Sequence, residues 1–283
     1  IPVVCEYGDM MEYIRRNVVD EVFVHLSSQT NLPINKIIKE LEVMGVTVDL
    51  NINVFEMEIP VQREIERIGN YYTVSFSPKI HSFKQIFFKR VMDIVGAIVG
   101  LLITGIVTVF LAPALLIESP GPLFFSQVRV GKNGRRFKIY KFRSMYMDAE
   151  ERKKELMSQN EMEGLMFKME NDPRVTKVGK FIRKTSIDEL PQFWNILKGE
   201  MSLVGTRPPT EDEFLQYEGY HRRRLNMTPG LTGLWQVSGR SDTKNFEEIV
   251  AMDVEYIDNW SLKEDIKILF KTVGVVLKGK GAS

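Results

Sequence analysis

Residues 94–117 read IVGAIVGLLITGIVTVFLAPALLI, which is 24 residues without a charged side chain. A helix of this length is about 36 Å long at about 1.5 Å per residue, and the hydrocarbon core of a bilayer is about 30 Å thick. Helices buried in protein cores are rarely apolar on every side. The segment therefore predicts a membrane helix, although the mean hydropathy of the whole chain, −0.13, is that of a soluble protein.

Both flanks of the apolar segment are basic. Residues 79–90 contain four Lys or Arg residues and no acid, and residues 118–143 contain seven against one acid, Glu118. Positively charged flanks stay on the cytoplasmic side of a membrane, so a single crossing would leave one of them on the wrong side. We therefore predict that residues 91–118 form a re-entrant membrane helix, which enters and leaves by the same face.

Three residues are expected to determine how this helix is bent and how it begins at the membrane surface. Pro113 lacks an amide hydrogen and is expected to break or bend the helix into a hairpin. Residues 82–90 mix aromatic and basic side chains, a composition typical of the membrane–water interface. We therefore assign residues 77–90 to a basic interfacial segment in which Lys89 and Arg90 face the membrane.

The N-terminal part of the chain, residues 1–76, has the pattern of an α/β unit. Residues 22–26 and 46–50 are short strand-like runs. Between them, apolar residues recur at helical spacing over residues 34–44 and stop at Gly45. Strand, helix and strand in this order indicate a parallel unit. No glycine-rich phosphate loop occurs here, so we interpret the segment as the C-terminal part of a Rossmann-like regulatory or structural domain.

The composition excludes several other classes of protein. Lys plus Arg is 38 and Asp plus Glu is 37, so the net charge of +1 argues against a nucleic-acid partner held by bulk charge. The single cysteine, Cys5, excludes an internal disulfide and a cysteine zinc site. Residues 119–283 are polar and long enough for their own core. We expect them to form a mainly α (α+β) cytosolic catalytic domain.

Basic side chains just after the apolar segment predict phosphate binding. Alternation over residues 137–143 puts Lys141 and Arg143 on one face of a strand, and Arg129 lies in the glycine-containing run before it. Cationic side chains close to a membrane suit a phosphate group. A solvated strand face is the alternative, and this motif alone does not decide between the two.

A pair of adjacent carboxylates is the strongest candidate for catalysis. Asp188 and Glu189 precede Pro191, which suits the first turn of a helix, and Gly199 suits its end. A helix N-terminus keeps carboxylates ionised, and an ionised carboxylate can act as a nucleophile or bind Mg²⁺. Ser186 and Glu189 also match a capping box, which is the structural alternative.

Glycine-rich segments farther along predict fixed loops around an arginine. Gly205 and two prolines surround Arg207, which is suited to binding phosphate bidentately. Residues 229–233 contain two further glycines, and Gln236 and Arg240 follow them; we assign both to the substrate site. Trp235 is expected in the core or stacked on a base. The run His221-Arg222-Arg223-Arg224 is expected to face lipid phosphates or solvent.

Together these motifs resemble the bacterial sugar transferase family, the monotopic phosphoglycosyl transferases. The resemblance covers residues 81 to about 279. The order of the motifs makes it specific, although each motif is modest alone. The matching stretches are Ser119-Pro120-Gly121-Pro122, Lys141-Phe142-Arg143-Ser144-Met145, Asp188-Glu189-Leu190-Pro191-Gln192 through Gly205-x-Arg207-Pro208, and Pro229-Gly230-Leu231-Thr232-Gly233.

The resemblance also bears on the N-terminal part and the membrane segment. Larger members of the family have a nucleotide-binding-like domain before the membrane helix, and residues 1–76 look like the end of one. Those members carry four transmembrane helices farther upstream, so we expect this chain to be a fragment of a longer protein. The family pattern also implies a re-entrant helix, in agreement with the charges of the two flanks.

The resemblance implies a reaction and its residues. Family members transfer a sugar 1-phosphate from a UDP-sugar to polyprenyl (undecaprenyl) phosphate and release UMP through an aspartyl-phosphosugar intermediate. By analogy, Asp188 is the nucleophile, Glu189 completes the dyad, and both are candidate ligands of Mg²⁺. Arg207 would bind phosphate, and Lys141 and Arg143 would line the pocket. The implied location is the bacterial inner membrane with the catalytic domain on the cytoplasmic face, and a homodimer is a further expectation.

One position departs from the family pattern. The family usually has Gly-Pro-Arg-Pro where this chain has Gly205-Thr206-Arg207-Pro208. Thr206 is therefore expected to loosen the loop slightly and to affect substrate preference, while the arginine is retained.

Two other functions compete with the transferase. A non-catalytic membrane scaffold would bind nucleotide sugars without turning them over. A metal-independent glycosyl transferase would move the sugar without its phosphate and release UDP instead of UMP. The intact pair Asp188 and Glu189 argues against the scaffold.

Overall fold

The computed structural model describes residues 3–25, 33–51, 62–68, 71–77, 82–149, 151–152, 169, 172–239 and 245–277. The N-terminal residues form a four-stranded sheet in the order β1-β2-β4-β3 with two helices. Strands β1 and β2 are parallel, whereas β4 is antiparallel to both β2 and β3. The elements are α1 (Met10–Arg16), β1 (Glu21–His25), α2 (Ile34–Val43), β2 (Thr47–Asn51), β3 (Gln62–Ile68) and β4 (Tyr71–Ser77).

The parallel strand–helix–strand unit predicted from the sequence is present. One face of α2 packs on the sheet through Ile37, Ile38 and Leu41, which are almost fully buried. The helix stops where Gly45 adopts φ +76, a left-handed conformation that favours glycine. The hairpin formed by β3 and β4 was not predicted, and it makes the sheet mixed.

A single long helix, α3 (Phe83–Glu118, 36 residues), follows. Within the described part of the chain it is the one helix long and apolar enough to cross a membrane. Ser82 caps its start by accepting a hydrogen bond from the amide of Gln85. At about 1.5 Å per residue it is about 54 Å long.

Pro113 does not break α3, because the helix continues through this residue; a bend at Pro113 stays a prediction. A proline removes one hydrogen bond of the helix and crowds one carbonyl. Apolar residues on both sides of Pro113 continue the helix. Neighbouring groups can satisfy the backbone carbonyl that a proline leaves without its hydrogen bond. α3 is therefore unbroken at Pro113, and its re-entrant path in a membrane stays a prediction.

One face of α3 lies along the C-terminal domain for most of its length. Leu115, near the end, packs with Phe142 and Ile182. The opposite face is exposed and strongly apolar, with side chains such as Leu102 and Phe110 at 66% and 78% exposure. The buried residues recur every three or four positions as far as Thr104, and Leu115 follows farther along: Lys89, Asp93, Ala97, Gly100, Thr104 and Leu115.

The structure corrects the expected positions of Lys89 and Arg90, which do not face a membrane. The ammonium group of Lys89 donates hydrogen bonds to Asp265 at 2.6 Å and to the carbonyl of Val204 at 2.9 Å. Arg90 donates to the carbonyls of Ile196 and Leu197, both at 2.7 Å. A lysine that is 7% exposed requires such acceptors. These charges join α3 to the domain.

The C-terminal domain is mostly helical, with two short strand pairs among the described residues. Strands β5 and β6 form an antiparallel hairpin, and β7 and β8 are parallel. Short 3-10 helices at Lys132–Gly134, Ile187–Gln192 and Tyr220–Leu225 link the other elements. Those elements are β5 (Phe124–Val130), β6 (Arg136–Phe142), α4 (Lys177–Lys184), α5 (Phe193–Lys198), β7 (Ser202–Val204), α6 (Glu211–Leu215), β8 (Gly230–Thr232), α7 (Leu234–Gly239), α8 (Phe246–Asp258) and α9 (Leu262–Leu277).

Gly100→Ala is expected to destabilise the protein by about 1–3 kcal/mol, the usual cost of overpacking. A β-carbon at Gly100 would overlap the ring of Phe193, the first residue of α5. Gly105→Ala is the matched control, because nothing lies within 4 Å of a β-carbon there. Thermal unfolding of both variants in detergent checks this. Equal melting temperatures for the two would contradict the close packing of α3 against α5.

Candidate active site

The carboxylates Asp188 and Glu189 lie in the 3-10 helix Ile187–Gln192, which runs directly into α5. Asp188 is 7% exposed. The ammonium group of Lys141 is 2.7 Å from Glu189 Oε1 and 3.9 Å from Asp188 Oδ2. A cation between two adjacent carboxylates favours their ionised forms. The sequence prediction that Lys141 and the carboxylate pair belong together is consistent with these distances.

The capping-box alternative at Ser186 is wrong. Ser186 has φ +56, a left-handed conformation, and its side chain makes no capping hydrogen bond. Its amide instead donates to the carbonyl of Arg183 at the end of α4. Ser186 therefore closes the preceding helix and turns the chain sharply, which directs Asp188 and Glu189 toward β6.

Arg129 lies on β5, in contact with the segment after Arg207. Its guanidinium donates to the carbonyl of Pro208 at 3.2 Å and to Gln127 at 2.8 Å. The amide of Val130 donates to the carbonyl of Pro209 at 3.0 Å. This edge contact holds the loop that carries Arg207 beside the β5–β6 hairpin.

The two arginines act on each other electrostatically. The pKa of Arg129 is lowered to about 10, first by burial and then by the positive charge of Arg207, while Glu213 and Glu189 oppose this. The Nε atom of Arg129 is buried, and within the described ranges it has no hydrogen-bond partner. Two neighbouring guanidinium groups repel each other, so a bound anion between them would be strongly stabilised.

Glycine backbones fix the position of the Arg207 loop. The amide of Gly205 donates to the carbonyl of Thr232 at 2.9 Å, and the amide of Gly230 donates to the carbonyl of Thr206 at 2.9 Å. A β-carbon at Gly205 would lie 2.6 Å from the nitrogen of Gly230. Only residues without a side chain permit this approach, so the turn before Arg207 is tightly defined.

Thr206 does not loosen the loop, contrary to the sequence prediction. It is 1% exposed, and its hydroxyl donates to the carbonyl of Arg224 at 2.7 Å. The threonine thus connects the residue before Arg207 to the 3-10 helix Tyr220–Leu225. Whether Thr206 affects substrate preference stays a prediction.

Thr206→Val is expected to lower the free energy of unfolding by about 1–2 kcal/mol. The substitution removes the buried hydroxyl, and the backbone carbonyl of Arg224 is left without its hydrogen-bond donor. The matched control is Thr108→Val, since the hydroxyl of Thr108 bonds only to a carbonyl of its own helix among the described contacts. Thermal unfolding of the two variants measures the difference. A Thr206 variant as stable as the control would contradict the role assigned to this hydroxyl.

Arg143 does not lie where the sequence pattern placed it. Strand β6 ends at Phe142, and Arg143 donates to the carbonyls of Ser119 and Pro120 after α3. It is 6% exposed, so its guanidinium supports the end of α3 and does not lie on an open strand face with Lys141. The prediction for Arg240 lies outside the described residues.

Gln236 lies close to the glycine loops. Its Oε1 atom is 3.4 Å from the position of a β-carbon on Gly233. This oxygen is buried and has no hydrogen-bond partner within the part of the chain that the structure describes. Its assignment to the substrate site stays a prediction.

Buried charged side chains support the site, and the sequence pattern did not predict them. Arg224 is 2% exposed and pairs with Asp253 at 2.7 Å, and it donates to the hydroxyl of Tyr217 at 2.6 Å. The basic run 221–224 was expected to face lipid or solvent, whereas three of its side chains are buried. The spacing of Thr210 and Glu213 also predicts a capping box for the helix that follows, and the capping box at the start of α6 confirms this prediction.

The available donors suit a magnesium ion that is shared with a substrate. Within the described residues no group of three or more His, Cys, Asp or Glu side chains is placed to hold a metal ion. Mg²⁺ is commonly bound by one or two carboxylates together with substrate phosphates and water. Asp188 and Glu189 supply such a pair, and Asp188 retains little exposure.

Comparison with known proteins identifies relatives of the chain. A family model described as bacterial sugar transferase matches residues 84–279. The chain is 51% identical over 266 residues to the galactosyl transferase CpsE of Streptococcus agalactiae. The match covers 93% of this chain and 59% of that protein. It is 47% identical over 206 residues to the UDP-galactose-lipid carrier transferase of Erwinia amylovora, covering 69% of this chain and 42% of that protein.

A third relative is the undecaprenyl-phosphate galactose phosphotransferase of Salmonella typhimurium, which is 46% identical over 200 residues. The match covers 69% of this chain and 42% of that protein. The chain thus spans about half the length of these curated relatives.

Proposed function

The chain belongs to the bacterial sugar transferase family, and from this premise we propose that it transfers a sugar 1-phosphate from a UDP-sugar to polyprenyl phosphate, releasing UMP. The observation that carries the proposal is the carboxylate pair of buried Asp188 and half-buried Glu189 beside Lys141. A carboxylate next to a cation is a suitable nucleophile toward a phosphorus atom. The neighbouring Arg129 and Arg207 suit the negative charge of a diphosphate.

The proposed reaction has two displacements at one phosphorus atom. A carboxylate oxygen of Asp188 attacks the phosphorus that bears the sugar. The bond from that phosphorus to the bridging oxygen breaks, and UMP leaves with this oxygen and its electron pair. A phosphate oxygen of the polyprenyl phosphate then attacks the same phosphorus and releases the carboxylate of Asp188. The products are UMP and a polyprenyl diphosphate sugar, and no proton is gained or lost by the aspartate.

Positioning and charge provide most of the catalysis in this class of reaction. Lys141 holds the carboxylate of Glu189 and lies near Asp188. Arg129 and Arg207 would bind the diphosphate oxygens as UMP leaves. Magnesium, held by Asp188 and Glu189 with the substrate phosphates, would neutralise charge on the diphosphate. The division of roles between the two carboxylates stays a prediction.

The structural neighbourhood of the carboxylates suits a lipid acceptor. The hydroxyl of Thr104 on α3 donates to the carbonyl of Leu190 at 3.2 Å, and Phe193 fits against Gly100. The helix that presents an apolar face to its surroundings thus directly supports the turn that carries Asp188. A nucleophile placed beside a membrane helix can reach a phosphate at the headgroup level.

We further propose that α3 lies along one leaflet of the bacterial inner membrane, with the catalytic domain on the cytoplasmic face. Lys89 at its start and Glu118 at its end both bind the same domain. An amphipathic helix lying in the interface buries its apolar face and keeps its other face on the protein. This keeps the same-side topology expected from the basic flanks and does not require a break.

Single cysteines at Gln85 and Phe125, introduced separately into a Cys5→Ser chain, are expected to react with a membrane-impermeant thiol reagent from the same side. The reason is that both ends of α3 are bound to one domain. Labelling of intact and inverted membrane vesicles provides the measurement. Reaction from opposite sides would refute this topology.

The released nucleotide distinguishes the candidate functions. The chain is expected to release UMP from a UDP-sugar in membranes containing undecaprenyl phosphate. Release of UDP would favour a glycosyl transferase, and binding without release would favour a scaffold. UDP-galactose is the first donor to test, because the names of the three relatives refer to galactose or galactosyl transfer. The product would enter capsule, exopolysaccharide or O-antigen assembly.

The formation of a homodimer stays a prediction. The regulatory or structural role of residues 1–76 stays a prediction as well.

A further inference from the structure

The C-terminus of α1 is bound by arginines of the catalytic domain. Arg222 donates hydrogen bonds to the carbonyls of Ile14 and Asn17. Arg136 donates to the carbonyl of Arg16 at 3.3 Å. The last carbonyls of a helix have no partners within it and carry partial negative charge. Guanidinium groups are therefore well suited to bind this end of the helix.

Arg222 is buried without a carboxylate partner among the described residues. It is 1% exposed, and the ring of Phe214 lies 5.5 Å from its guanidinium carbon. Burial, and then the charges of Arg136 and Arg15, lower the pKa of Arg222 to about 10, so it stays charged at neutral pH. A buried charge is costly unless it is hydrogen-bonded. The acceptors come from the N-terminal unit, so its docking is what makes the burial of Arg222 tolerable.

Asp20 provides a second contact between the two parts of the chain. It accepts hydrogen bonds from Asn133 and Arg135, in the turn between β5 and β6. Although burial opposes it, these two hydrogen bonds lower the pKa of Asp20 below its usual value. The N-terminal unit therefore holds the tip of the hairpin as well as the 3-10 helix that contains Arg222.

Both contacts lead to the arginines of the candidate site. The turn that is hydrogen-bonded to Asp20 directly follows Val130 at the end of β5, the strand that carries Arg129. Arg222 shares its 3-10 helix with Arg224, whose carbonyl accepts the hydroxyl of Thr206 next to Arg207. Arg129 in turn donates to Pro208. The docked unit thus restrains both sides of the arginine pair.

We propose that docking of the N-terminal α/β unit positions Arg129 and Arg207 for the diphosphate of the donor, with Asp20 and Arg222 as the positioning residues. This inference rests on the proposed function. Ordering a binding loop in advance lowers the cost of binding the ligand. Loss of docking should therefore raise the KM for the UDP-sugar more than it lowers kcat.

The test compares Asp20→Ala with Glu12→Ala in the full chain. Glu12 pairs only with Arg15 and Arg16 of its own helix among the described contacts, so it is a matched acid outside the docking contact. We expect Asp20→Ala to raise the KM for the UDP-sugar about tenfold with kcat within about twofold, and Glu12→Ala to change neither. Unchanged KM in both Asp20→Ala and Arg222→Met would overturn the proposal.

A double-mutant cycle separates positioning from a merely structural contact. Asp20→Ala combined with Arg129→Lys should raise KM by less than the product of the two single effects, because both act on the same arginine. Independent effects would overturn the positioning role. The conservative variant Arg222→Lys should raise the KM for the UDP-sugar less than Arg222→Met does.

Hydrogen exchange of the amides in residues 204–210 gives a readout that does not depend on activity. Faster exchange in Asp20→Ala than in Glu12→Ala would support coupling between docking and the Arg207 loop, and equal exchange would count against it. If the unmodified chain released no UMP, the proposed function would fail, whereas the exchange experiment would still decide whether docking orders this loop.

Discussion

Asp188→Asn is expected to abolish both UMP release and the formation of labelled protein, with turnover reduced at least about a thousandfold. An amide has nearly the same shape as a carboxylate but is a far weaker nucleophile. The main ion pair of Lys141 is with Glu189 at 2.7 Å, whereas its distance to Asp188 is 3.9 Å. The substitution should therefore remove the nucleophile with little change in the packing around it.

The experiment uses UDP-sugar with a radioactive sugar and the full chain in membranes. Asp148→Asn is the matched control, because Asp148 is exposed and forms only a local pair with Arg152 in the described part of the chain. The control should retain UMP release and labelling. Persistent labelled protein in Asp188→Asn would show that another residue forms the covalent bond, and UMP release without any labelled protein in the unmodified chain would argue for direct transfer.

Gly230→Ala is expected to have the second largest effect: a loss of about 3 kcal/mol in unfolding free energy and a loss of activity of about a hundredfold or more. A β-carbon at Gly230 would lie 2.6 Å from Cα of Gly205 and would overlap its nitrogen. Neither atom belongs to a flexible side chain. The two strands β7 and β8 must therefore separate, and the loop that carries Arg207 must move.

Gly274→Ala on α9 is the control for this prediction, because nothing lies within 4 Å of a β-carbon there and alanine is a better helix former than glycine. Thermal unfolding in detergent and UMP release are measured on both variants. If Gly230→Ala kept the stability and KM of the control, the close packing of the two glycines would not be needed to position Arg207.

Local patterns predicted the features whose physical causes are local. The length and lack of charge of residues 94–117 place a long helix there. Gly45 and Gly199, with φ +76 and +86, end helices at the positions expected for glycine. The Asp188 and Glu189 pair is a short sequence motif, and Lys141 lies beside it as expected. Each of these conclusions depends on a few neighbouring residues.

The two capping-box patterns show where a local pattern fails. Thr210 has an extended backbone and forms the full capping box with Glu213. Ser186 and Glu189 have the same spacing, yet Ser186 is left-handed and ends α4. The difference comes from what surrounds each serine or threonine in space, because α4, β6 and α3 all pack around the turn at Ser186.

Charged residues are where the fold overrides the sequence pattern. Lys89 binds Asp265, 176 positions away, and Arg222 binds Ile14, 208 positions away. Arg143 binds the carbonyl of Ser119, 24 positions before it. The periodicity of apolar residues in a sequence does not predict such hydrogen-bond partners. A long charged side chain binds whichever acceptor the folded chain brings within about 3 Å.

The amino-acid order alone was sufficient to identify an apolar segment long enough to cross a membrane, an α/β unit before it and the motifs of the bacterial sugar transferase family after it. Those features follow from hydrophobic length, residue spacing and backbone preference, which act within a few turns of chain. The continuous α3, the burial of Lys89, Arg222 and Arg224, and the convergence of Arg129 with Arg207 arose only on folding. Buried charges need acceptors, and in this protein those acceptors come from segments far apart in sequence.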